Sequence, residues 1–130
     1  MSNSLLLSHD ELTEIYQTCD SATRLSGRER RTAERWPFEV VQSIGAYGHW
    51  GLPKRSMFVE VRCHDISRGG ISFFLRRPPK FRFAVIEIGK PHQVTHLLIQ
   101  VLHYSRFGDP TDQEQYIVGC SFVQRVHLQG

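Results

Sequence analysis

Arginines concentrate in one short stretch of this chain of 130 residues. Four of them fall within eight positions of each other: Arg28, Arg30, Arg31 and Arg35. Two glutamates, at positions 29 and 34, offset only part of that charge. The whole chain carries a net charge of only +3, so the distribution of charge is more informative than the total, and such a cluster predicts an anionic partner. Taken alone, the cluster also fits a solvated basic arm that binds nothing.

A second group of residues with chemical potential follows about thirty positions later. Asp65, Ser67 and Gly70 lie within the segment DISRGG. A carboxylate and a hydroxyl commonly bond to the backbone of a turn, and glycine allows either a positive φ or a close backbone approach. By itself the segment predicts a plain turn between two strands, and it acquires further meaning only beside the arginine cluster.

The sequence pattern of the N-terminal part of the chain predicts a short helix followed by an arm. Ser8 stands three residues before Glu11, which is the pattern of a capping box, and apolar residues at helical spacing follow it. We expect a helix over residues 9–19 and a linker over 20–27. In the basic segment, Arg31 and Arg35 are like charges four residues apart, which disfavours a helix. Pro37 also favours an extended backbone before it, so we expect an irregular arm leading into a strand.

The remaining chain predicts strands. Apolar and polar residues alternate, or short apolar runs end at Gly and Pro, over residues 38–44, 57–64, 71–75, 81–88, 95–105 and 115–123. Loops are expected at 45–55 and after residue 107. Six strands with short glycine-containing connections, and no helical pattern between them, predict an all-β antiparallel barrel.

The two motifs and their order resemble those of the PilZ domain family. Arg31 and Arg35 form an RxxxR, and Asp65, Ser67 and Gly70 form a DxSxxG, one on an arm and one on a turn between strands. The segment YIVGCSF at 116–122 is similar to the closing strand of that family. The resemblance covers residues 28–126 and implies a six-stranded antiparallel PilZ-type β-barrel. Residues 1–27 then form an N-terminal helix and linker, and 127–130 a tail.

The resemblance implies a receptor for the bacterial second messenger cyclic di-GMP. Its implied binding residues are Arg30, Arg31, Arg35, Asp65, Ser67 and Gly70. The chemistry agrees, since the planar fork of arginine suits phosphate oxygens and the O6 and N7 atoms of guanine. Arg30, directly before the first motif, favours an intercalated pair of ligands over a single one. Arg68, inside the turn, is expected to face either the ligand or solvent.

Two other functions remain open beside the receptor. A receptor without an attached output domain would signal to an unidentified effector protein, with the ligand ordering the arm. The first alternative is an interaction module with the same fold that binds no nucleotide. The second is a small barrel that binds nucleic acid, which the low net charge and the lack of paired aromatic residues on one strand face disfavour. We expect neither a DNA partner nor a membrane partner.

Catalysis, metal binding and disulfides are not predicted. Cys19, Cys63 and Cys120 are an odd number without close spacing, which indicates a reducing compartment, and the last two are expected in the core. The region around His92 and His96 has the pattern of a strand, on which residues four apart lie roughly 13 Å from each other, too far to bind one ion. We therefore expect a bacterial cytoplasmic binding protein that is not an enzyme and has no cofactor besides its ligand.

Overall fold

The structure is a computed structural model that describes residues 5–19, 35–90, 93–108 and 115–128. Helix α1 spans His9–Thr18. The strands are β1 Trp36–Pro37, β2 Val41–Tyr47, β3 Val59–Ile66, β4 Gly70–Leu75, β5 Phe83–Lys90, β6 Gln93–Arg106 and β7 Tyr116–Arg125. One turn of 3-10 helix, Arg55–Met57, precedes β3. The predicted linker and nearly all of the predicted arm lie outside the described residues.

Six of the strands close into an antiparallel barrel, as the sequence predicts. Around the barrel the order is β3-β2-β5-β6-β7-β4, and β4 pairs with β3 to complete the circle. Alternate residues face inward and form one core, as expected for a small closed barrel. The core includes both predicted core cysteines and the buried residues Val61, Ile66, Ile71, Phe73, Ala84, Ile86, Ile99, Val118 and Phe122.

Strands β1 and β2 lie along the same edge of β3. Trp36 pairs with Ile66, whereas Val41 pairs with Arg62, so the register shifts by one residue between them. Residues 38–40 form this irregularity, although 38–44 is predicted as a strand. Strand β2 in turn extends past the predicted end at residue 44. A Cβ atom on Gly45 would lie 2.7 Å from Cβ of Pro53, so this glycine allows the following loop to pack on the strand and does not form a turn.

Helix α1 covers one end of the barrel, which we call the α1 end. Its predicted capping box is confirmed: the Ser8 hydroxyl accepts the Glu11 backbone N–H and the Glu11 carboxylate accepts the Ser8 N–H, each at 3.0 Å. Leu12 and Tyr16, four residues apart, share the buried face of the helix. The ring of Tyr16 packs edge-on against Trp36, with ring centroids 5.0 Å apart.

The opposite end of the barrel, which we call the loop end, carries the longer connections. There β2 joins β3, β4 joins β5, and β6 joins β7. At the α1 end, β3 joins β4 through the short turn of residues 67–69. This turn places the DxSxxG motif beside the N-terminal segment.

Candidate functional site on the outer face of the barrel

The structure describes four of the six predicted binding residues. Arg35, Asp65, Ser67 and Gly70 all lie at the α1 end, in β3, in β4 or directly beside them. Arg30 and Arg31 fall outside the described residues, so their predicted role stays a prediction.

A bulge in β3 turns Asp65 to the outer face of the barrel. Cys63 pairs with Phe73 and is fully buried, and strict alternation would place Asp65 on the same inner face. The register between β3 and β4 shifts at His64, and Asp65 then pairs with Ser72. The extra residue therefore moves the carboxylate out of the core, which is a known effect of β-bulges.

Asp65 connects the two sequence motifs. Nη1 of Arg35 donates to Oδ1 of Asp65 at 3.0 Å, across thirty positions of sequence. The hydroxyl of Ser72 donates to the same Oδ1 at 2.5 Å. Strand β1 makes the first contact possible, because Pro37 pairs with Asp65 and so brings the preceding Arg35 to the carboxylate. The Arg35 side chain is half exposed, and its guanidinium has further N–H donors besides the one that Asp65 accepts.

Ser67 uses its hydroxyl within the turn. Its Oγ accepts the Gly69 backbone N–H at 3.3 Å and donates to the Gly70 carbonyl at 3.4 Å. The Ser67 N–H also bonds to that carbonyl at 2.9 Å. The structure therefore brings Arg35 and Asp65 together, whereas Ser67 contacts the turn and neither of those side chains.

Gly70 is required by packing. A Cβ atom there would lie 2.2 Å from the carbonyl oxygen of Cys120 on β7, which no side chain can tolerate. Of the two reasons that the sequence offers for this glycine, close backbone approach is the one that applies, since its φ is not positive. Gly70 thus lets β4 approach β7 and places the turn.

Arg68 binds the N-terminal segment. Its Nε donates to the carbonyl of Leu7 at 2.7 Å, and the Leu7 N–H donates back to the Arg68 carbonyl at 2.8 Å. Next to this pair, the Phe122 N–H bonds to the Gly69 carbonyl and the Leu5 N–H bonds to the Phe122 carbonyl. Arg68 is exposed to solvent, which is one of its two expected environments, and its hydrogen bond to Leu7 also joins the turn to the segment that precedes α1.

Sequence reasoning missed the cross-strand row that continues from Asp65. Asp65 pairs with Ser72, Ser72 with Gly119 on β7, and Gly119 with His103 on β6. A Cβ atom on Gly119 would lie 2.6 Å from the His103 ring, so this ring lies over the glycine. The row has no signal in sequence spacing, because its members come from four different strands.

A cluster of rings adjoins this row on the outer face. Phe74 lies 5.3 Å from His64 and 5.0 Å from Phe107, measured between ring centroids. Flat rings provide stacking surface and a guanidinium provides hydrogen-bond donors, and the outer face carries both, a combination suited to purines and phosphates. Two cavities lined by described residues, of about 120 and 310 Å³, lie beside α1 and beside Arg55 respectively.

The buried cysteines lack the properties of nucleophiles. Burial raises the pKa of the Cys63 thiol to about 12, with a smaller effect from the Cys19 thiol, and burial likewise raises the pKa of Cys120 to about 12. Both thiols are therefore protonated at neutral pH. Across the described ranges, no three His, Cys, Asp or Glu side chains are grouped so that they could hold a metal ion. No described helix is long and apolar enough to cross a membrane.

Comparison with known proteins assigns no function to this chain. No family model matches the chain, and no curated protein and no solved structure matches it either. The assignment of a function therefore depends on the residues and contacts described above.

Proposed function

We propose that this protein is a receptor for cyclic di-GMP of the PilZ type. The observation that carries the proposal is the contact of Arg35 with Asp65 on the outer face of a closed six-stranded barrel. It joins the RxxxR and DxSxxG motifs, which the sequence separates by thirty positions. A single exposed patch therefore combines the donors and the scaffold that a compact, doubly charged dinucleotide needs.

The geometry divides the roles of these two residues. Oδ1 of Asp65 already accepts from Arg35 and Ser72, so Asp65 acts first as the group that orients the guanidinium. The half-exposed Arg35 then presents its remaining N–H donors to a phosphate or a guanine edge. Arg31, four residues earlier on the same arm, supplies a second guanidinium, and Arg30 a third.

Calorimetric titration of cyclic di-GMP tests the proposal. The wild-type chain should bind saturably, GTP should not bind, and the fitted stoichiometry should distinguish one ligand from an intercalated pair. A charge-assisted hydrogen bond contributes about 1.5–3 kcal/mol, so Arg31→Ala and Arg35→Ala should each weaken binding by about one to two orders of magnitude. Absence of heat with the wild type, together with an unchanged melting temperature, would exclude the receptor.

Signalling would follow from ordering of the arm around the ligand. Arg35 is followed at once by β1, and Trp36 packs against α1, so a ligand held by Arg35 lies next to the contacts of the helix. We expect the ligand to protect backbone amides of residues 28–36 from hydrogen exchange. Identical exchange with and without ligand would contradict this signalling route and leave binding itself intact.

One observation favours a second candidate, the interaction module that binds no nucleotide. Ser67, Gly70 and Oδ1 of Asp65 are all engaged inside the fold, so the second motif has a structural explanation without a ligand. The titration separates the candidates, since an interaction module gives no heat with cyclic di-GMP and no change in melting temperature.

A further inference from the structure

The second half of β6 has an open edge at the loop end. Strand β5 pairs with β6 as far as Phe83 opposite Gln100, and the Val101 N–H bonds to the Arg82 carbonyl just beyond. From Leu102 to Arg106, β6 pairs with β7 alone among the described residues. We call residues 102–106 the β6 edge.

The hydrogen-bond pattern shows which backbone groups face outward along this edge. The Phe107 N–H donates to the Gln115 carbonyl, next to β7. In an antiparallel pair, residues directed at the partner alternate with residues directed away from it. His103 and Ser105 therefore point their backbone groups at β7, and Tyr104 and Arg106 point theirs at the open side. An extended segment placed there would find donors and acceptors at β spacing.

Side chains along the β6 edge offer apolar contact. Leu102 is 61% exposed and Tyr104 is 49% exposed. Both are far more accessible than Leu97 and Ile99 in the first half of the same strand, which are buried. A partner strand would cover these side chains and so gain apolar burial in addition to backbone bonds.

Cations without a described ion-pair partner lie on the β5 side of the edge, whereas the β6–β7 connection carries acids at positions 109, 112 and 114, outside the described residues. The connection from β4 to β5 carries four cations and no acid, and Arg106 adds a fifth at the end of β6: Arg76, Arg77, Lys80, Arg82 and Arg106. All five are exposed, and none forms an ion pair with another described residue. Arg82 lies where β5 stops pairing, directly beside the open edge. Such a rim attracts acidic groups and repels a second, equally basic copy of the same edge.

We propose that the β6 edge binds an extended acidic segment of a partner protein by β-strand addition. Backbone pairing favours a peptide over a nucleic acid, because only a polypeptide strand matches the groups of Tyr104 and Arg106. The signalling role of this edge, as the output surface of the receptor, rests on the proposed function. Its binding chemistry is separate, since it uses none of the residues that contact Asp65.

Titration of the ¹⁵N-labelled full chain with an acidic peptide, acetyl-EVEVEVE-amide, tests the proposal. We expect chemical-shift changes at residues 102–106 and at Arg82, with hydrogen-exchange protection at Tyr104 and Arg106. The basic analogue acetyl-KVKVKVK-amide should bind at least tenfold more weakly. An EVEVEVE peptide N-methylated at every residue keeps the charge and loses all of its strand donors, and it should not bind.

Two variants of the chain test whether the acidic peptide binds at the β6 edge. Tyr104→Pro removes an outward N–H without breaking a bond to β7, and proline is tolerated at an edge position of this kind. It should lose the peptide, and its melting temperature should fall only slightly, because the substitution also removes the ring contact of Tyr104 with Tyr116, whose centroids lie 6.1 Å apart. The double variant Arg82→Glu/Arg106→Glu should weaken the acidic peptide at least tenfold. Cyclic di-GMP binding by Tyr104→Pro is measured in parallel, so that failure of the edge and failure of the receptor are distinguished.

Several outcomes would overturn the proposal. No shifts at millimolar peptide would do so, as would shifts located away from residues 102–106 or equal affinity for the acidic and basic peptides. An oligothymidylate that produces the same shifts would assign the edge to nucleic acid. Sedimentation of the wild type as a dimer, with Tyr104→Pro as a monomer, would assign the edge to a second copy of this chain.

Discussion

The two ends of the barrel use similar residues in opposite ways. At the α1 end, apolar side chains from the helix are buried, the β3–β4 turn is short, and Arg68 bonds to Leu7. At the loop end, Leu102 and Tyr104 are exposed and the nearby arginines have no described ion-pair partner. The difference indicates that the α1 end fixes the fold and orients Arg35, whereas the loop end leaves groups available for another molecule.

Gly70→Ala should have the largest effect on the α1 end. The new Cβ would overlap the Cys120 carbonyl, so β4 must separate from β7, and we expect a loss of about 3 kcal/mol or more in the free energy of unfolding. Urea denaturation measures it. Gly69→Ala is the matched control, because its Cβ meets only the flexible end of Leu6 at 3.3 Å. Equal losses in the two variants would contradict the close approach of β7.

Leu12→Ala and Leu102→Ala compare the same substitution at the two ends. Leu12 is 1% exposed and Leu102 is 61% exposed. Removing a buried leucine side chain costs about 2–5 kcal/mol, whereas we expect less than about 0.5 kcal/mol at the exposed position. Thermal and urea unfolding of both variants check the contrast. Similar losses would mean that the loop end is as tightly packed as the α1 end.

Arg68→Ala should have the smallest effect of the three. It removes the bond to the Leu7 carbonyl, and a hydrogen bond made by a charged side chain is worth about 1.5 kcal/mol, less where solvent competes. We therefore expect a loss of about 1 kcal/mol. Arg76→Ala, which breaks no described ion pair or hydrogen bond, serves as the control. A greater loss for Arg76→Ala would show that the loop-end arginines also stabilise the fold.

Local patterns predicted the fold well, because each element carries its own signal. The capping box fixes the start of α1, and period-two alternation with Gly and Pro between segments identifies all six barrel strands. Strand ends were less accurate. The sequence predicts a loop at Gly45, although this residue lies within β2, because the Pro53 ring that requires a glycine there comes from a loop eight residues away.

The candidate site was predicted only in part, for a related reason. The motifs identified Arg35 and Asp65 from their order in the sequence. Their contact depends on the bulge at His64 and on the pairing of Pro37 with Asp65. The spacing of residues in the sequence predicts neither the bulge nor the pairing. The bond from Ser72 to Asp65 and the position of His103 over Gly119 are also products of strand register. These contacts follow from the pairing of strands that are distant in the sequence, which the periodicity of each strand does not indicate.

The cyclic di-GMP affinity of Arg35→Ala, measured by calorimetry beside Arg55→Ala, tests the central claim most directly. Arg55 is also exposed, and no described ion pair or side-chain hydrogen bond involves it, so its removal matches the loss of charge without touching Asp65. The account predicts affinity lower by about one to two orders of magnitude for Arg35→Ala and wild-type affinity for Arg55→Ala. Equal affinities in both variants, or no binding by the wild type, would contradict it.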